Sequence, residues 1–279
     1  MMQRLGERIA EEEQYAVKEM HADRAQGEKV IPVLFEEMDG IWLHMQNSNH
    51  RKMKKQEMKV FTMYEGWDKE QKKRSSLVEN TMLAGMESSQ IFHEKREALI
   101  EKKYNADEIQ QRILNGDGGS WIRETYDPDA IFQLDRYHIY QEILRKISDR
   151  DAQREARKLF EEEKITEFLE FILVYADSVE TTDEKDKRSQ KARELYHYLN
   201  NNKDGLLPYQ KQGRKIPEPR EGIVYKNMGV QESQNCTVIT MRMKHRRMRW
   251  SAKGANNLAK VLCCKENKEL CSTIERYTD

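Results

Sequence analysis

The chain has 279 residues, and its 49 basic and 49 acidic side chains give it a formal net charge of zero at pH 7. With 37% hydrophobic residues it is long and apolar enough to bury a core, which excludes wholesale disorder. The first 14 residues are charged, and the longest apolar run, residues 171–176, is far below the roughly 20 residues that cross a bilayer. We therefore expect a helix-rich protein of the cytoplasm that has no membrane partner.

The first hundred residues predict a helix, a hairpin, a third strand and a second helix. Residues 1–30 have apolar side chains at helical spacing among many charges, and we interpret this helix as the remnant of a larger N-terminal region. Segments rich in Val, Phe, Tyr, Trp and Met at 33–45 and 58–66 predict the two strands of a hairpin. A third strand is predicted at 77–82 and a helix at 88–104. The hairpin has a basic tip with Arg51, Lys52, Lys54 and Lys55.

Two further strands and a long helical block follow. A short strand at 113–114 leads into the sequence Asn-Gly-Asp-Gly-Gly at 115–119, and another strand covers 131–134. Helical spacing of apolar residues continues from 136 to 202, and three prolines in 205–221 predict a loop. Three antiparallel strands, a helix and two strands that we expect to be parallel indicate an α/β fold.

Residues 233–265 contain no Asp or Glu, and we call them the acid-free segment. Their eight basic residues leave 41 basic against 49 acidic residues in the rest of the chain, so a local +8 stands beside −8. Such a field suits a polyanion such as DNA. A solvated helix face is the commoner explanation of a basic run, but such runs usually contain interspersed acids. The eight are Arg242, Lys244, Arg246, Arg247, Arg249, Lys253, Lys260 and Lys265.

Most of these side chains are predicted to contact DNA phosphates. Trp250 is a candidate for stacking on an unpaired base, although a single Trp in an α/β domain more often packs in the core. The predicted DNA-binding residues are Arg242, Lys244, Arg246, Arg247, Arg249, Trp250 and Lys253.

The cysteines predict neither a disulfide framework nor a metal site. There are four of them, and no two have the Cys-x-x-Cys spacing. We expect free thiols with a structural role. They are Cys236, Cys263, Cys264 and Cys271.

Two carboxylates stand out because of their surroundings. A period of two places Glu37 and Asp39 on the same strand face as the apolar residues of 33–45, and an acid on that face needs a partner. Three glycines surround Asp117 at a strand end, as occurs where a ligand approaches the backbone closely. A Gly-Asp-Gly sequence is more often a plain turn. Neither acid identifies a site by itself.

Five short blocks, taken in order, resemble the ISLre-type insertion-sequence transposases, which look like a branch of the Mutator-like DDE transposases. The resemblance extends from Val33 to about Leu262, and five ordered blocks are much more specific than any one of them. The blocks are LFEEMDG at 34–40, YEGW at 64–67, LNGDG at 114–118, FQLDRYH at 132–138, and RMK at 242–244 with WS at 250–251.

The resemblance implies a ribonuclease-H-like core with a helical insertion between the last strand and the last core helix. It also implies two Asp and one Glu as catalytic and metal-binding residues. The matching positions are Asp39, Asp117 and Glu232, the last within a Gly-to-Glu-to-Asn block at 229–235. Three converging carboxylates repel one another strongly without a cation. Two Mg²⁺ or Mn²⁺ ions would match their oxygen ligands and suit an in-line displacement at phosphorus.

Asp135 and His138 fit the Asp-x-x-His signature of Mutator-like enzymes. The resemblance implies a role near the site, in DNA handling or in orienting a carboxylate. The alternative is a His at the start of a helix that is satisfied by a nearby backbone group.

The function implied is that of a transposase catalytic domain, which cleaves DNA and transfers strands for a mobile insertion element. Its partners would be transposon ends, target DNA and at least a second copy of the chain, in association with the nucleoid. The alternatives are a ribonuclease-H-like nuclease without strand transfer and a truncated, inactive DNA-binding remnant. Truncation is considered because family members generally have a longer N-terminal region that recognises transposon ends.

This interpretation divides the chain into four parts. Residues 1–30 are the helical remnant, and residues 31–135 hold the strands of the ribonuclease-H-like core. Residues 136–221 form the helical insertion and a loop. Residues 222–279 hold the last catalytic segment and the basic region that contacts DNA.

Overall fold

Two compact units make up the fold. The computed structural model describes residues 2–23, 27–46, 55–70, 76–123, 127–183, 185–245 and 248–278. The first unit comprises residues 1–114, 124–130 and 216–279, and the second comprises residues 115–123 and 131–215. Each unit has a hydrophobic core of its own.

The first unit opens with a helix and most of the strands. In chain order the elements are α1 (Met2–His21), β1 (Val33–His44), β2 (Lys55–Tyr64), β3 (Trp67–Asp68), β4 (Thr81–Gly85), α2 (Ser89–Lys103), a 3₁₀ turn (Ala106–Glu108) and β5 (Gln111–Gly116).

The second unit is mainly helical. Its elements are α3 (Ser120–Arg123), β6 (Ile131–Leu134), α4 (Arg136–Lys146), α5 (Arg150–Glu161), α6 (Ile165–Ser178), α7 (Arg188–Asn201) and 3₁₀ turns at Lys203–Gly205 and Tyr209–Lys211. Apolar side chains at helical spacing, such as Phe160, Phe168 and Leu195, form its core.

The last part of the chain returns to the first unit. It contains β7 (Ile223–Val224), α8 (Gln231–Gln234), a π-helix (Asn235–Thr240), α9 (Met241–Met243), α10 (Ala252–Glu266) and α11 (Leu270–Thr278). Apolar residues of β1, such as Ile41 and Leu43, pack with residues of the π-helix and α10. Helix α1 places Leu5 against Val261 of α10, so this N-terminal helix is part of the first unit's core.

A mixed sheet of five strands has the order β4-β2-β1-β5-β6, and β3 pairs with β7 in a separate two-stranded sheet. Strands β1 and β2 are antiparallel, with Asp39 opposite Val60, and β4 is antiparallel to β2. Strand β1 is buried continuously from Val33 to Asp39. Its acids therefore lie inside the protein and need partners there.

The predicted α/β class is confirmed, and most predicted elements appear with shifted ends. The helix predicted at 88–104 is α2, which Ser88 caps by accepting a hydrogen bond from the Ile91 amide at 3.4 Å. The third strand was predicted too early. It begins at Thr81 because Glu79 has a φ of 58°, a left-handed conformation that cannot continue a strand.

Three smaller predictions have different outcomes. The cysteines are free thiols, as predicted. Every helix among the described residues is too short or too polar to span a bilayer. The tip residues Arg51, Lys52 and Lys54 of the predicted hairpin lie outside the described residues.

Candidate functional site

Asp39 lies on β1 with only 9% of its surface exposed. Its Oδ1 accepts a hydrogen bond from the Gly40 amide at 2.7 Å, and its Oδ2 accepts one from Asn235 Nδ2 at 2.6 Å. A Cβ atom at position 40 would lie 2.0 Å from Glu57 Oε1, so a larger residue there would displace the end of the Glu57 side chain. The predicted catalytic acid is therefore buried on the strand and bonded to the segment that carries Glu232.

Glu37, two residues before Asp39 on the same strand face, is completely buried. Its Oε1 accepts hydrogen bonds from the Tyr64 hydroxyl at 2.7 Å and from the amides of Gly229 and Val230 at 3.0 and 3.2 Å. Its Oε2 accepts one from the Gln231 amide at 3.0 Å. The carboxylate thus binds the backbone at the start of α8 and fixes that helix to β1.

The loop that enters α8 depends on a glycine. Gly229 has a φ of 113°, which lies in the region that side-chain-bearing residues rarely adopt. This conformation turns three successive amides toward Glu37. Sequence spacing alone gives no sign of this contact, because the two residues are 192 positions apart.

A side-chain relay runs from α8 to Asp39. Gln231 Nε2 donates to Asn235 Oδ1 at 2.8 Å, and Asn235 Nδ2 donates to Asp39. Both amide residues are buried, with 2% and 3% of their surfaces exposed. Gln231 Oε1 is buried and has no hydrogen-bond partner among the described residues. A buried acceptor in this state is uncommon in folded proteins.

Glu232 lies in α8 between the two residues of this relay, and its side chain is exposed. It precedes Asn235, the hydrogen-bond partner of Asp39, by three positions. The π-helix starts at Asn235. π-helices are rare and often occur at functional sites. Within the first unit, the structure therefore brings the segment of Glu232 to Asp39.

Asp117 belongs to the second unit, where it is half-buried after β5. Its Oδ1 accepts a hydrogen bond from the Gly119 amide at 2.8 Å, and its carbonyl accepts one from the Tyr198 hydroxyl at 2.8 Å. Gly118 between them has a φ of 79°. Burial and the nearby charge of Asp117 raise the pKa of the Tyr198 phenol. The acid sits in a tight turn that helix α7 supports.

Asp135 is the N-cap of α4. Its Oδ1 accepts hydrogen bonds from the amides of Tyr137 and His138 at 2.7 and 3.4 Å. Its Oδ2 accepts one from Asn115 Nδ2 at 2.9 Å. These contacts give Asp135 a structural role at the helix start, and they include the backbone of His138, which is half-buried.

The acid-free segment divides into exposed and buried basic residues. Arg242, Lys244 and Arg249 are exposed. Lys253 is also exposed, and its Nζ lies 2.6 Å from Glu7 Oε1. Lys260 is completely buried, so it adds nothing to a surface field. Arg246 and Arg247 lie outside the described residues.

Trp250 packs against the core, which was the more common of the two alternatives considered for it. The indole Nε1 donates to the Met243 carbonyl at 2.7 Å, and the half-buried ring packs against the core of the first unit. Its backbone bonds to residues at the end of β1, including Gln46. This residue holds the acid-free segment onto the sheet.

The three acids of the predicted metal triad lie in two different units. Asp39 and Glu232 belong to the first unit and Asp117 to the second. Among the residues that the structure describes, no group of three or more His, Cys, Asp or Glu side chains is arranged to hold a metal ion. The metal triad stays a prediction.

Replacing Glu37 with glutamine is expected to lower the free energy of unfolding by about 2–3 kcal/mol. Hydrogen bonds to a charged group contribute about 1.5–3 kcal/mol, and the amide would bring a donor into a site that presents four donors. Chemical denaturation measures this loss. The control is Glu232→Gln, the same change at an exposed position of the bound segment, which should stay within about 0.5 kcal/mol of the unsubstituted chain. Equal losses would contradict the anchoring role of Glu37.

Comparisons with known proteins identify relatives but no activity. A family model described as "Uncharacterised protein family (UPF0236)" matches residues 8–276. UPF0236 protein TTE2489 of Caldanaerobacter subterraneus subsp. tengcongensis is 25% identical over 172 residues, which are 60% of this chain and 34% of the relative. UPF0236 protein TTE0402 of the same organism is also 25% identical over 172 residues, 60% of this chain and 32% of the relative. The match thus spans about a third of the length of these relatives.

Proposed function

We propose that this chain, which belongs to the uncharacterised protein family UPF0236, is the catalytic part of a DDE-type DNA transposase. The resemblance to ISLre-type transposases motivates this function. The observation that carries it is the hydrogen bond between Asn235 and Asp39, which joins β1 to the segment of Glu232 across 196 positions. A metal site shared by Asp39 and Glu232 would require their two segments to lie together, and this bond supports that requirement.

The order of elements supports a ribonuclease-H-like core. Three antiparallel strands, a helix, two further strands and a helical block precede Glu232, which is the order that the resemblance leads us to expect. The helical insertion corresponds in the proposal to α4–α7. The last core helix corresponds to the helical segment that begins at α8.

The donor set of the predicted triad suits divalent metal ions. Asp39, Asp117 and Glu232 offer hard carboxylate oxygens, which Mg²⁺ and Mn²⁺ prefer as ligands. Two such ions, when bound, would activate the attacking oxygen and stabilise the leaving oxygen in a displacement at phosphorus.

Basic residues just after Glu232 would hold the DNA. Arg242, Lys244 and Arg249 are exposed within 17 positions of that acid, and their charges would contact phosphates. Phosphate contacts fix the position of DNA without reading its sequence. The terminal repeats would then have to be recognised elsewhere, by the partner copy or by residues outside the matched third of the relatives.

Cleavage and strand transfer on duplex DNA that carries the element's terminal repeats test the proposal. With Mg²⁺ or Mn²⁺ we expect cleavage followed by joining of the 3′ ends to target DNA. With Ca²⁺ we expect neither, because its looser coordination misaligns an in-line attack. Cleavage without joining would support the nuclease alternative. DNA binding without either reaction would support the inactive remnant.

Replacing Arg246 and Arg247 together with alanine is expected to flatten the salt dependence of DNA binding. Each phosphate contact contributes a slope of about −0.9 in log affinity against log salt, so the loss of both should change the slope by nearly two units. Binding is measured by fluorescence anisotropy over a salt series. The control is the double substitution Arg154→Ala and Lys158→Ala on helix α5 of the second unit, which should leave the slope unchanged. A slope unaltered by the first pair would mean that the acid-free segment is only a solvated face.

A further inference from the structure

The relay from Gln231 through Asn235 to Asp39 is fixed at both ends on strand β1. At one end, the Gln231 amide is bound to Glu37 Oε2. At the other, Asn235 donates to Asp39 Oδ2 at 2.6 Å. Glu37 and Asp39 are two positions apart and lie on one strand face. The strand, the helix start and the two amide side chains thus form a closed loop of hydrogen bonds.

Burial fixes the orientation of the two side-chain amides in this loop of hydrogen bonds. An unpaired buried donor or acceptor costs about 1–3 kcal/mol, so burial favours the orientation in which Gln231 Nε2 donates to Asn235 Oδ1 and Asn235 Nδ2 donates to Asp39 Oδ2. Turning over the Asn235 amide would bring its oxygen against Asp39 Oδ2, and turning over Gln231 would bring two amide oxygens together. The Nδ2 group of Asn235 therefore points at the Asp39 carboxylate.

We infer that Asn235 and Gln231 are positioning residues that orient the Asp39 carboxylate for metal binding, an inference that rests on the proposed function. Asn235 acts on Asp39 directly, and Gln231 acts by fixing the amide of Asn235. Neither residue supplies a ligand in this role. Groups that orient a metal ligand typically change metal affinity by about 10–100-fold when they are replaced.

The sequence of the π-helix supports the assignment. Among the side chains of Asn235–Thr240, Asn235 is buried and polar, while Val238 and Ile239 are buried and apolar. Thr237 faces solvent and donates only to nearby backbone carbonyls, at 2.9 and 3.4 Å. A buried asparagine among core positions costs stability, since its polar atoms have to be desolvated. Its contact with a predicted catalytic acid gives a reason for that cost.

Mn²⁺ binding to the full chain, measured by electron paramagnetic resonance, tests the inference without any activity assay. Asn235→Leu keeps much of the side-chain volume and removes the donor, and it should weaken Mn²⁺ binding by about tenfold or more. Gln231→Leu should weaken it less. Thr237→Ala is the matched control in the same π-helix and should leave binding unchanged. If Asn235→Leu does not fold, Asn235→Ser serves in its place, because it is smaller and polar.

A double substitution separates orientation from general damage. In the Asp39→Asn background, where weaker Mn²⁺ binding would depend on the other predicted acids, Asn235→Leu should cause no further loss of affinity, because its effect passes through Asp39. An additional loss of similar size there would overturn the inference, as would unchanged binding in the single variant. If Asp39→Asn does not weaken Mn²⁺ binding to the chain, the proposed metal site itself fails. The two failures are therefore distinguishable.

Discussion

Replacing Lys260 with methionine is expected to lower the free energy of unfolding by about 3–5 kcal/mol, the usual cost of removing one partner from a buried ion pair. The Lys260 ammonium lies 2.6 Å from Glu13 Oε2 and 3.1 Å from Glu87 Oε1, and its side chain is completely buried. Lys95 pairs with the same two acids. The substitution would leave two partly buried carboxylates to share one ammonium group.

This cluster connects the two ends of the chain within the first unit. Glu13 comes from α1, Lys95 from α2 and Lys260 from α10. An apolar side chain at 260 would fill the volume but leave two negative charges against the single positive charge of Lys95. The loss should therefore appear in α1 first, as faster hydrogen exchange of the amides in Met2–His21.

The free energy of unfolding that is lost in Lys260→Met should depend on pH, and the loss should be smaller in acid. Burial by itself would raise the pKa of Glu87, but the charges of Lys260 and Lys95 lower it from 4.5 to about 2. A group with a lowered pKa in the folded state contributes stability above its unfolded pKa and loses it as pH falls through the folded value. The difference between the two proteins should thus be largest near neutral pH and shrink between about pH 4.5 and 2.

Lys265→Met is the matched control for this prediction. Lys265 lies on the same helix, carries the same charge and is exposed. Its replacement should change the free energy of unfolding by less than about 0.5 kcal/mol. Similar losses in both variants, or a loss at Lys260 that does not shrink at low pH, would contradict the proposed role of the buried cluster.

Lys260 also marks the limit of counting charges along a sequence. In the sequence, eight basic residues of the acid-free segment count toward a surface field. One of them, Lys260, is neutralised inside the core. Its partners lie in α1 and before α2, far from it in sequence. Only the fold brings Glu13 to it. Charge counts predict the net field of a segment, but burial decides which charges contribute to that field.

The alternation of apolar residues along the sequence predicted part of the site. Contacts between residues that are far apart in the sequence could not be predicted in this way. The alternation in 33–45 placed Glu37 and Asp39 on the buried face, and both are buried. The same alternation could not tell an anchor from a candidate catalytic acid. That difference comes from the amides of 229–231, which bind Glu37 from almost 200 positions away. The left-handed conformation of Gly229 makes the turn possible, but a glycine in the sequence does not identify the partner of the turn.

The Asp135 and His138 pair is a case in which a motif and a structural role coincide. The signature drew attention to Asp135, and the structure assigns its oxygens to the start of α4 and to Asn115. A helix cap and a family motif use the same residue types at the same spacing, since an Asp before a helix naturally accepts from the amides two and three positions on. Sequence alone could not separate the two.

Replacing Asp117 with asparagine is expected to abolish cleavage while DNA binding stays intact or becomes tighter. The amide oxygen of asparagine can still accept the hydrogen bond that Asp117 Oδ1 receives from the Gly119 amide, so the turn should be retained. What the substitution removes is one negative charge. Losing a preorganised electrostatic group typically reduces the catalytic rate by about 10²–10³-fold, and removal of an anionic metal ligand should have at least that effect.

The measurement compares cleavage rate and DNA affinity in one series of variants. Asp39→Asn should reproduce the loss of cleavage, because both acids would hold the same metal ions. The charge-matched control is Asp151→Asn on α5 of the second unit, whose exposed carboxylate pairs with Arg154, and it should cleave normally. Cleavage that persists in Asp117→Asn would point to another site or a contaminating nuclease. A loss of DNA binding would mean that the variant disturbs the fold, since removal of negative charge near a phosphate cannot by itself weaken the attraction.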